Sequence, residues 1–483
     1  MSLVSVEFIL FMMCSFLGYF LLPRRTRPYF LLAVSLFFYG CFQVRAFIYI
    51  GFTAVSSFLI GIWMPERKPS VQKLLMLLSL VCNLGILILV KYLDYVLGLF
   101  ASLMEREGTA ISLLVPLGVA FYTMQAVSYT VDVYRGRYAP ERNFCKYLLY
   151  MTYFPIIMQG PISRYDQLAD QVFTPHDFSF DRMKAGLSLA LYGFFKKMVI
   201  ADRAALLVDQ VFNSYASHNG VELAIAAILY TIQIYTDFSG CVDICRGVSQ
   251  VFGIELIDNF KHPYFSSSIK DFWRKWHCSL SSWFRDYIYI PLGGSRKGSV
   301  RKYVNLTVVF LVSGLWHGVG LQFIAWGLLH AVYQIIGETT AGVRRRLYKR
   351  CGISAEGRLF KFGQQMITFG LLVISWIFFR APSLTSALQI LKAMVTNSGI
   401  TAFLRGPFPN LGLDKKDWIV LLISVCVLWI ISMLQKRGSV RDRIQKQNFV
   451  LRYMIYLVGI FTILIFGIYG PGYSAAQFIY MQF

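Results

Sequence analysis

The chain has 483 residues, 56% of them hydrophobic and 16% aromatic, and only 15% are charged, against roughly 25% in an average soluble domain. With a mean hydropathy of +0.55, that composition excludes a disordered chain, argues against an ordinary cytosolic enzyme, and predicts one integral membrane domain over residues 1–483. Lys and Arg outnumber Asp and Glu by 47 to 25, a formal net charge of +22; because these cations sit in short segments beside apolar runs, they read as a membrane-orientation signal and predict no nucleic-acid partner.

A membrane span needs about 20 mostly apolar residues. In chain order the runs 4–22, 45–63, 74–90 and 111–131 qualify first, with 28–42 as a weaker candidate. The first run has no basic residue before it and no small-residue cleavage signature, so it is expected to be retained. After a second weak candidate at 144–160, the polar stretch 162–184 predicts a surface loop with a short helix. Two further runs follow at 186–206 and 221–236.

The run at 221–236 leads into Gln233-Ile234-Tyr235-Thr236-Asp237-Phe238-Ser239-Gly240, with Asp243 beyond. Gln233 and Asp237 stand at i, i+4 and share one helix face. They suit a polar seam between helices. They equally suit a cavity wall in which Asp237 pairs with a cation such as Arg274 or Arg285.

Residues 257–302 are too polar to span and too aromatic for a plain loop. Their centre interleaves Arg274, Lys275, Arg285 and Asp286 with Phe272, Trp273, Trp276, Trp283, Phe284, Tyr287 and Tyr289. One reading is an interfacial amphipathic helix with snorkelling cations. The other is a re-entrant segment lining a water-filled cavity, with His277 facing it.

The stretch Val304 to Gly337 is too long for one span. It reads as two helices, 304–320 and 321–337, broken around Ser313-Gly314-Leu315-Trp316-His317-Gly318. His317 then lies near a helix end, close to the membrane interior, where an ionisable residue is a functional candidate. The flanking glycines allow close approach by backbone or substrate, Trp316 supplies a flat apolar wall, and an imidazole is suited to take a proton from a hydroxyl near neutral pH. A neutral histidine bonded to a backbone carbonyl is the structural alternative. His330, about 220° round a continuous helix from His317, reads as packing; His176, His218 and His262 lie in polar stretches and read as solvated. The runs 364–380, 418–434 and 453–470 bring the expected spans to between eleven and thirteen.

Arg24, Arg25 and Arg27, then Arg67, Lys68 and Lys73, then the blocks 344–350 and 436–443, are expected on the cytoplasmic side. The N-terminus, segment 381–417 and the C-terminus then lie outside. The nine cysteines include no C-x-x-C and sit mostly in apolar surroundings, so they read as small buried hydrophobes, with neither a disulfide framework nor a metal site. No P-loop, G-x-G-x-x-G after a strand or G-x-S-x-G elbow occurs, which argues against a nucleotide-driven transporter or a serine hydrolase.

Together these segments resemble the membrane-bound O-acyltransferase (MBOAT) family, and within it the bacterial alginate O-acetylation branch. The resemblance rests on Tyr153-Phe154-Pro155 through Gly160-Pro161-Ile162, Gln233 to Gly240, Asp271 to His277, Arg285 to Gly294, Leu315-Trp316-His317-Gly318, Trp326-Gly327, Trp376 to Ala381 and the closing Phe478 to Phe483. It implies an all-α polytopic membrane protein: a ring of tilted helices around a central channel, with re-entrant or interfacial segments and a motif-bearing core over about 115–340. It implies His317 as the catalytic histidine and His277 as a second important one. Trp316, Asp237, Arg274, Trp276, Trp283, Arg285 and Asp286 become candidates for the substrate channel. No permanently bound cofactor is implied; the donor is acetyl-CoA or another acyl thioester. The partners implied are membrane lipid, a polysaccharide acceptor and an extracytoplasmic acetyltransferase. Cys278 stands where the branch has an apolar residue, and reads as a filler ahead of an acyl carrier. D-alanyl transfer to teichoic acid and proton-coupled transport are the rival activities; the length and the Phe478 to Phe483 ending favour the acetyl branch.

Overall fold

The computed structural model describes residues 2–104, 115–399 and 411–469. Among them the regular structure is helical, with one isolated bridge between Phe260 and Trp276. The helices are α1 (Val6–Leu21), α2 (Arg27–Gly40), α3 (Phe47–Trp63), α4 (Pro69–Leu103), α5 (Val119–Tyr134), α6 (Phe144–Thr152), α7 (Tyr165–Phe173), α8 (Phe180–Phe194), α9 (Asp202–Asn213) and α10 (Gly220–Val251). They continue as α11 (Ile269–Lys275), α12 (Cys278–Phe284), α13 (Gly298–His317), α14 (Leu321–Thr339), α15 (Ala341–Arg350), α16 (Arg358–Arg380), α17 (Leu384–Thr396), α18 (Lys415–Gln435), α19 (Val440–Gln445) and α20 (Phe449–Phe466).

Among the described residues six segments are long and apolar enough to cross a bilayer: Val44–Trp63, Pro69–Gly98, Gly220–Val251, Arg358–Arg380, Lys415–Gln435 and Phe449–Phe466. They correspond to six of the predicted runs, and the protein is a multi-pass membrane protein. The runs 304–320 and 321–337 became α13 and α14, continuous helices of 20 and 19 residues, and the remaining runs became shorter or interrupted helices. α1, α2 and α5 have 16, 14 and 16 residues, and α6 stops after nine. The run 186–206 is divided by a π-helical stretch, Phe195–Ala201. Apolar runs report burial, and a run of 10–16 residues buries as well against protein as against lipid. Residues 111–114 of the fourth run and the closing Phe478 to Phe483 motif lie outside the described residues. The stretch 162–184 carries the expected short helix, α7.

The chain divides into two compact units, residues 1–190 with 241–257, and residues 191–240 with 258–483. In the first, four tyrosines of α5, α6 and α7 pack together: Tyr129 lies 4.6 Å from Tyr147 and 5.1 Å from Tyr165, and Tyr150 lies 5.3 Å from Tyr165. Their polar tips stay satisfied in a dry interior, as a membrane protein requires. The Tyr129 hydroxyl accepts the Glu141 N–H at 2.9 Å, and the hydroxyls of Tyr147 and Ser57 lie 2.7 Å apart. The core of the second unit is a stack of indoles: Trp276 sits 5.2 Å from Trp376, which sits 5.9 Å from Trp326.

Two sequence expectations change here. Only Cys241 and Cys245 are buried, while Cys14, Cys41, Cys351 and Cys426 are exposed. Apolar neighbours in sequence mark helix faces that lipid covers as readily as faces that protein covers. His176, His218 and His262 are half-buried and not simply solvated. His176 bonds through its ring to the Gln171 carbonyl at 2.8 Å, and His218 meets Glu222 at 2.9 Å.

Candidate functional site

All the residues of the candidate site belong to the second unit. Helix α13 ends at His317, and α14 starts at Leu321 after the turn Gly318-Val319-Gly320. The break falls where the glycines cluster. The two helices cross closely because Gly314 and Gly327 carry no side chain: a Cβ on Gly314 would meet the Phe323 carbonyl oxygen at 2.4 Å, and one on Gly327 the Phe310 carbonyl oxygen at 2.3 Å. The hairpin puts His317, the last residue of α13, into an aromatic box. Its ring is buried, 4.8 Å from Trp316, 5.1 Å from Trp326 and 5.3 Å from Phe379.

His277 reaches the same place from another element. Ser268 caps α11, accepting the Asp271 N–H at 3.1 Å, and the Lys275–Asp271 pair at 2.6 Å supports the helix one turn on. The chain leaves α11 extended at Trp276 and turns through His277 in the left-handed region, at φ 46°, before α12 begins. That conformation is costly for a residue with a side chain and persists only where surroundings enforce it. Asn259 does so. Its carbonyl accepts the Cys278 N–H at 3.0 Å, and its side-chain oxygen accepts the Ser279 N–H at 2.9 Å and lies 3.4 Å from His277 Nδ1. The His277 ring packs 4.8 Å from Phe238 and 6.3 Å from Trp316. Trp316 is thus the wall shared by both histidines.

The other predicted positions divide. Trp276 is buried in the aromatic core, 5.3 Å from Phe272 and 6.5 Å from Phe238. Trp283 packs on Phe284 and Tyr287. Arg285 and Asp286 pair with each other at 2.7 Å, Arg285 largely exposed and Asp286 buried. Arg274 is exposed on α11. Asp237 does not pair with Arg274 or Arg285. It meets Lys197 at 2.7 Å, and Lys197 also holds Asp202 at 2.8 Å, all three deeply buried. Lys196 beside it donates to Ser239 Oγ at 3.0 Å. Both lysines lie in the π-helical stretch, whose widened turn lets two consecutive residues face the same interior. Arg274 and Arg285 lie near water, where a cation is at ease, while Lys197 is already inside and needs the carboxylates.

Lys196, Lys197, Asp202 and Asn259 carried no expectation from the sequence, and Phe379 stood there only within the motif Trp376 to Ala381. Two adjacent lysines inside the apolar run 186–206 were the visible signal, since charge in such a run must find a partner. His330 packs as expected, fully buried and accepting the Trp273 indole N–H at 3.2 Å. It does not lie on the opposite side of a helix from His317, because the turn at 318–320 resets the phase; Trp326 touches both rings, at 5.1 Å and 5.0 Å. Among the described residues the buried Trp326 N–H has no acceptor, so this box holds a hydrogen-bond donor beside the candidate base. No group of three or more His, Cys, Asp or Glu suited to a metal occurs among them.

A sequence model described as MBOAT, membrane-bound O-acyltransferase family, matches residues 140–346, which contain both histidines, Trp316 and the lysine–aspartate cluster. The chain is 35% identical over 388 residues to a probable alginate O-acetylase of Pseudomonas syringae, covering 78% of this chain and 72% of that protein. It is 31% identical over 423 residues to a peptidoglycan O-acetyltransferase of Helicobacter pylori, covering 81% and 79%. A teichoic acid D-alanyltransferase of Bacillus subtilis is 29% identical over 228 residues, covering 45% and 57%.

Proposed function

The chain belongs to the membrane-bound O-acyltransferase family, and from that premise we propose that this multi-pass O-acyltransferase moves an acetyl group from a cytoplasmic thioester, acetyl-CoA, for O-acetylation of a cell-surface polysaccharide. The observation that carries the chemistry is the placement of His317 at the tip of α13, in a box it shares through Trp316 with His277. His317 is the general base. It takes the proton of the acceptor hydroxyl as that oxygen attacks the thioester carbonyl carbon. The new C–O bond forms, the C–S bond breaks, and the proton passes to the departing thiolate. His277 stabilises charge developing on the thioester oxygen, held in place by Asn259; exposed Arg274 is not given that role. Direct transfer spares the cell from moving acetyl-CoA across the bilayer.

The acetyl donor is favoured over a D-alanyl carrier by the relatives named for O-acetylation, which match more of this chain at higher identity. The basic blocks favour a donor side in the cytoplasm and an N-terminus outside the cell membrane. An extracytoplasmic acetyltransferase then completes delivery to the polymer. His317→Ala, with membrane insertion verified, is expected to lower surface-polymer acetylation about 10²–10⁴-fold. NMR of the purified polymer reads this; acetylation at the normal level would remove His317 from the mechanism.

A further inference from the structure

Apart from the histidine box, the second unit holds a cavity of about 520 Å³, within the usual range for a small-ligand site. On α16 its lining runs from Arg358 and Lys361 to Phe369 at i, i+3, i+4, i+7, i+8 and i+11. On α18 it runs from Val425 to Lys436 at the same spacing. Each is therefore one stripe along a helix, twelve residues and about 16 Å long. That is the hydrocarbon depth of one leaflet, half of about 30 Å. Phe265 sets the register between the stripes: its carbonyl accepts from Gln365 Nε2 at 3.1 Å, and its ring lies 3.6 Å from Lys436 Nζ. Through Phe265, Lys436 is brought near Gln365, one turn from Lys361 and two from Arg358 on α16, so the three cations form the basic end of the groove, its mouth.

The mouth carries uncompensated charge. Among the described residues no carboxylate pairs with Arg358, Lys361 or Lys436. Burial and the nearby Lys275 ammonium both push the Lys436 amine below its usual range. The walls below are apolar and open to the side, with Phe362, Met366 and Trp429 all substantially exposed. We propose that this groove binds one anionic phospholipid of the cytoplasmic leaflet, its phosphate among the three cations and one acyl chain along the two stripes.

The same features speak against the thioester donor as occupant. Three indoles stand between the groove wall at Tyr264 and His317: Tyr264 lies 6.2 Å from Trp276, and Trp276, Trp376 and Trp326 follow one another to the imidazole. A pantetheine arm would leave its amides unpaired against these walls, which an alkyl chain does not. Each basic residue near an anionic lipid surface contributes about fivefold in binding.

Native mass spectrometry of the full chain in detergent, titrated with dioleoyl-phosphatidylglycerol or dioleoyl-phosphatidylcholine, tests this. The wild type is expected to take up one phosphatidylglycerol in preference to phosphatidylcholine by about tenfold or more. The R358Q/K361Q/K436Q variant should lose that preference, and Met366→Trp, which fills the groove and leaves the cations, should weaken both lipids. Inorganic phosphate should not displace the bound lipid. Equal uptake of the two lipids by the wild type overturns the proposal, as does a preference that survives the triple variant or unaltered uptake by Met366→Trp. Displacement by inorganic phosphate alone also overturns it, reassigning the cations to a free anion. If the triple variant fails to elute as a monodisperse helical protein, the wild-type preference and Met366→Trp decide.

Discussion

His277 is bought into its position by Asn259, a residue eighteen places earlier whose polar groups accept from the Cys278 and Ser279 amides. A left-handed, non-glycine backbone costs on the order of 1–3 kcal/mol; here it turns a buried ring towards Trp316. Asn259 is therefore a positioning residue. Asn259→Ala is expected to lower kcat about three- to tenfold, the worth of one ordinary hydrogen bond, and to leave KM for the thioester unchanged. Steady-state kinetics on membranes with equal protein levels separates the two constants, and a rise in KM alone would assign Asn259 to donor binding. The candidates His317 and Trp316 were legible in the sequence because an imidazole beside glycines in an apolar run is conspicuous, and His277 because it sits in a stretch too polar to span and too aromatic for a plain loop. Asn259 was not, since a lone amide in a polar stretch looks like any loop residue until the fold brings it beside residue 277.

At the scale of elements, the α13–α14 hairpin depends on two backbones crossing where Gly314 and Gly327 leave room. Gly327→Val must push a branched side chain into the Phe310 carbonyl, an overpacking cost of about 1–3 kcal/mol. It should lower the thermal midpoint in detergent and reduce activity together, because His317 sits at the tip of the displaced helix. The π-helical stretch is the second such device. Removing one member of the buried Lys197–Asp202–Asp237 cluster strands charge in a dry interior, at about 3–5 kcal/mol. Asp237→Asn and Lys197→Met should each destabilise strongly, and the K197M/D202N/D237N variant should cost less than the sum of its parts; chemical denaturation would register that non-additivity. The i, i+4 spacing of Gln233 and Asp237 fits a polar seam between helices, but of the cations open to Asp237 the fold supplies Lys197, not Arg274 or Arg285. Helix-face periodicity tells which residues share a side, and it carries no information on which distant cation meets them.

For the whole molecule, charge asymmetry is the basis of the proposed orientation. Cys351 is exposed and directly follows the basic block 344–350, so in a variant retaining it as the sole cysteine, a membrane-impermeant maleimide should label it only after the membrane is opened. Labelling of intact cells would reverse the proposed direction of transfer. The helical class and the multi-pass character were both readable from composition and run length. Which runs become long continuous helices was not: among the described residues six of them are both long and apolar enough to span. Length does not tell what covers a run: nearly every residue of Val119–Tyr134 is buried, whereas Val6–Leu21 buries only Phe8, Ser15 and Tyr19 and Phe449–Phe466 is only 6% buried.

By itself the sequence determined that this protein lies in a membrane, that it is helical, and that His317 and His277 stand in segments unlike ordinary spans, because hydropathy, glycine and charge are local properties of a chain. The tertiary structure alone decided that Trp316 joins the two histidines, that Lys197 neutralises Asp237, and that α16 and α18 frame a groove with a cationic mouth. Each of these is a meeting of side chains far apart in sequence, and close packing of rigid helices selects one such set of neighbours from the many that local pattern permits.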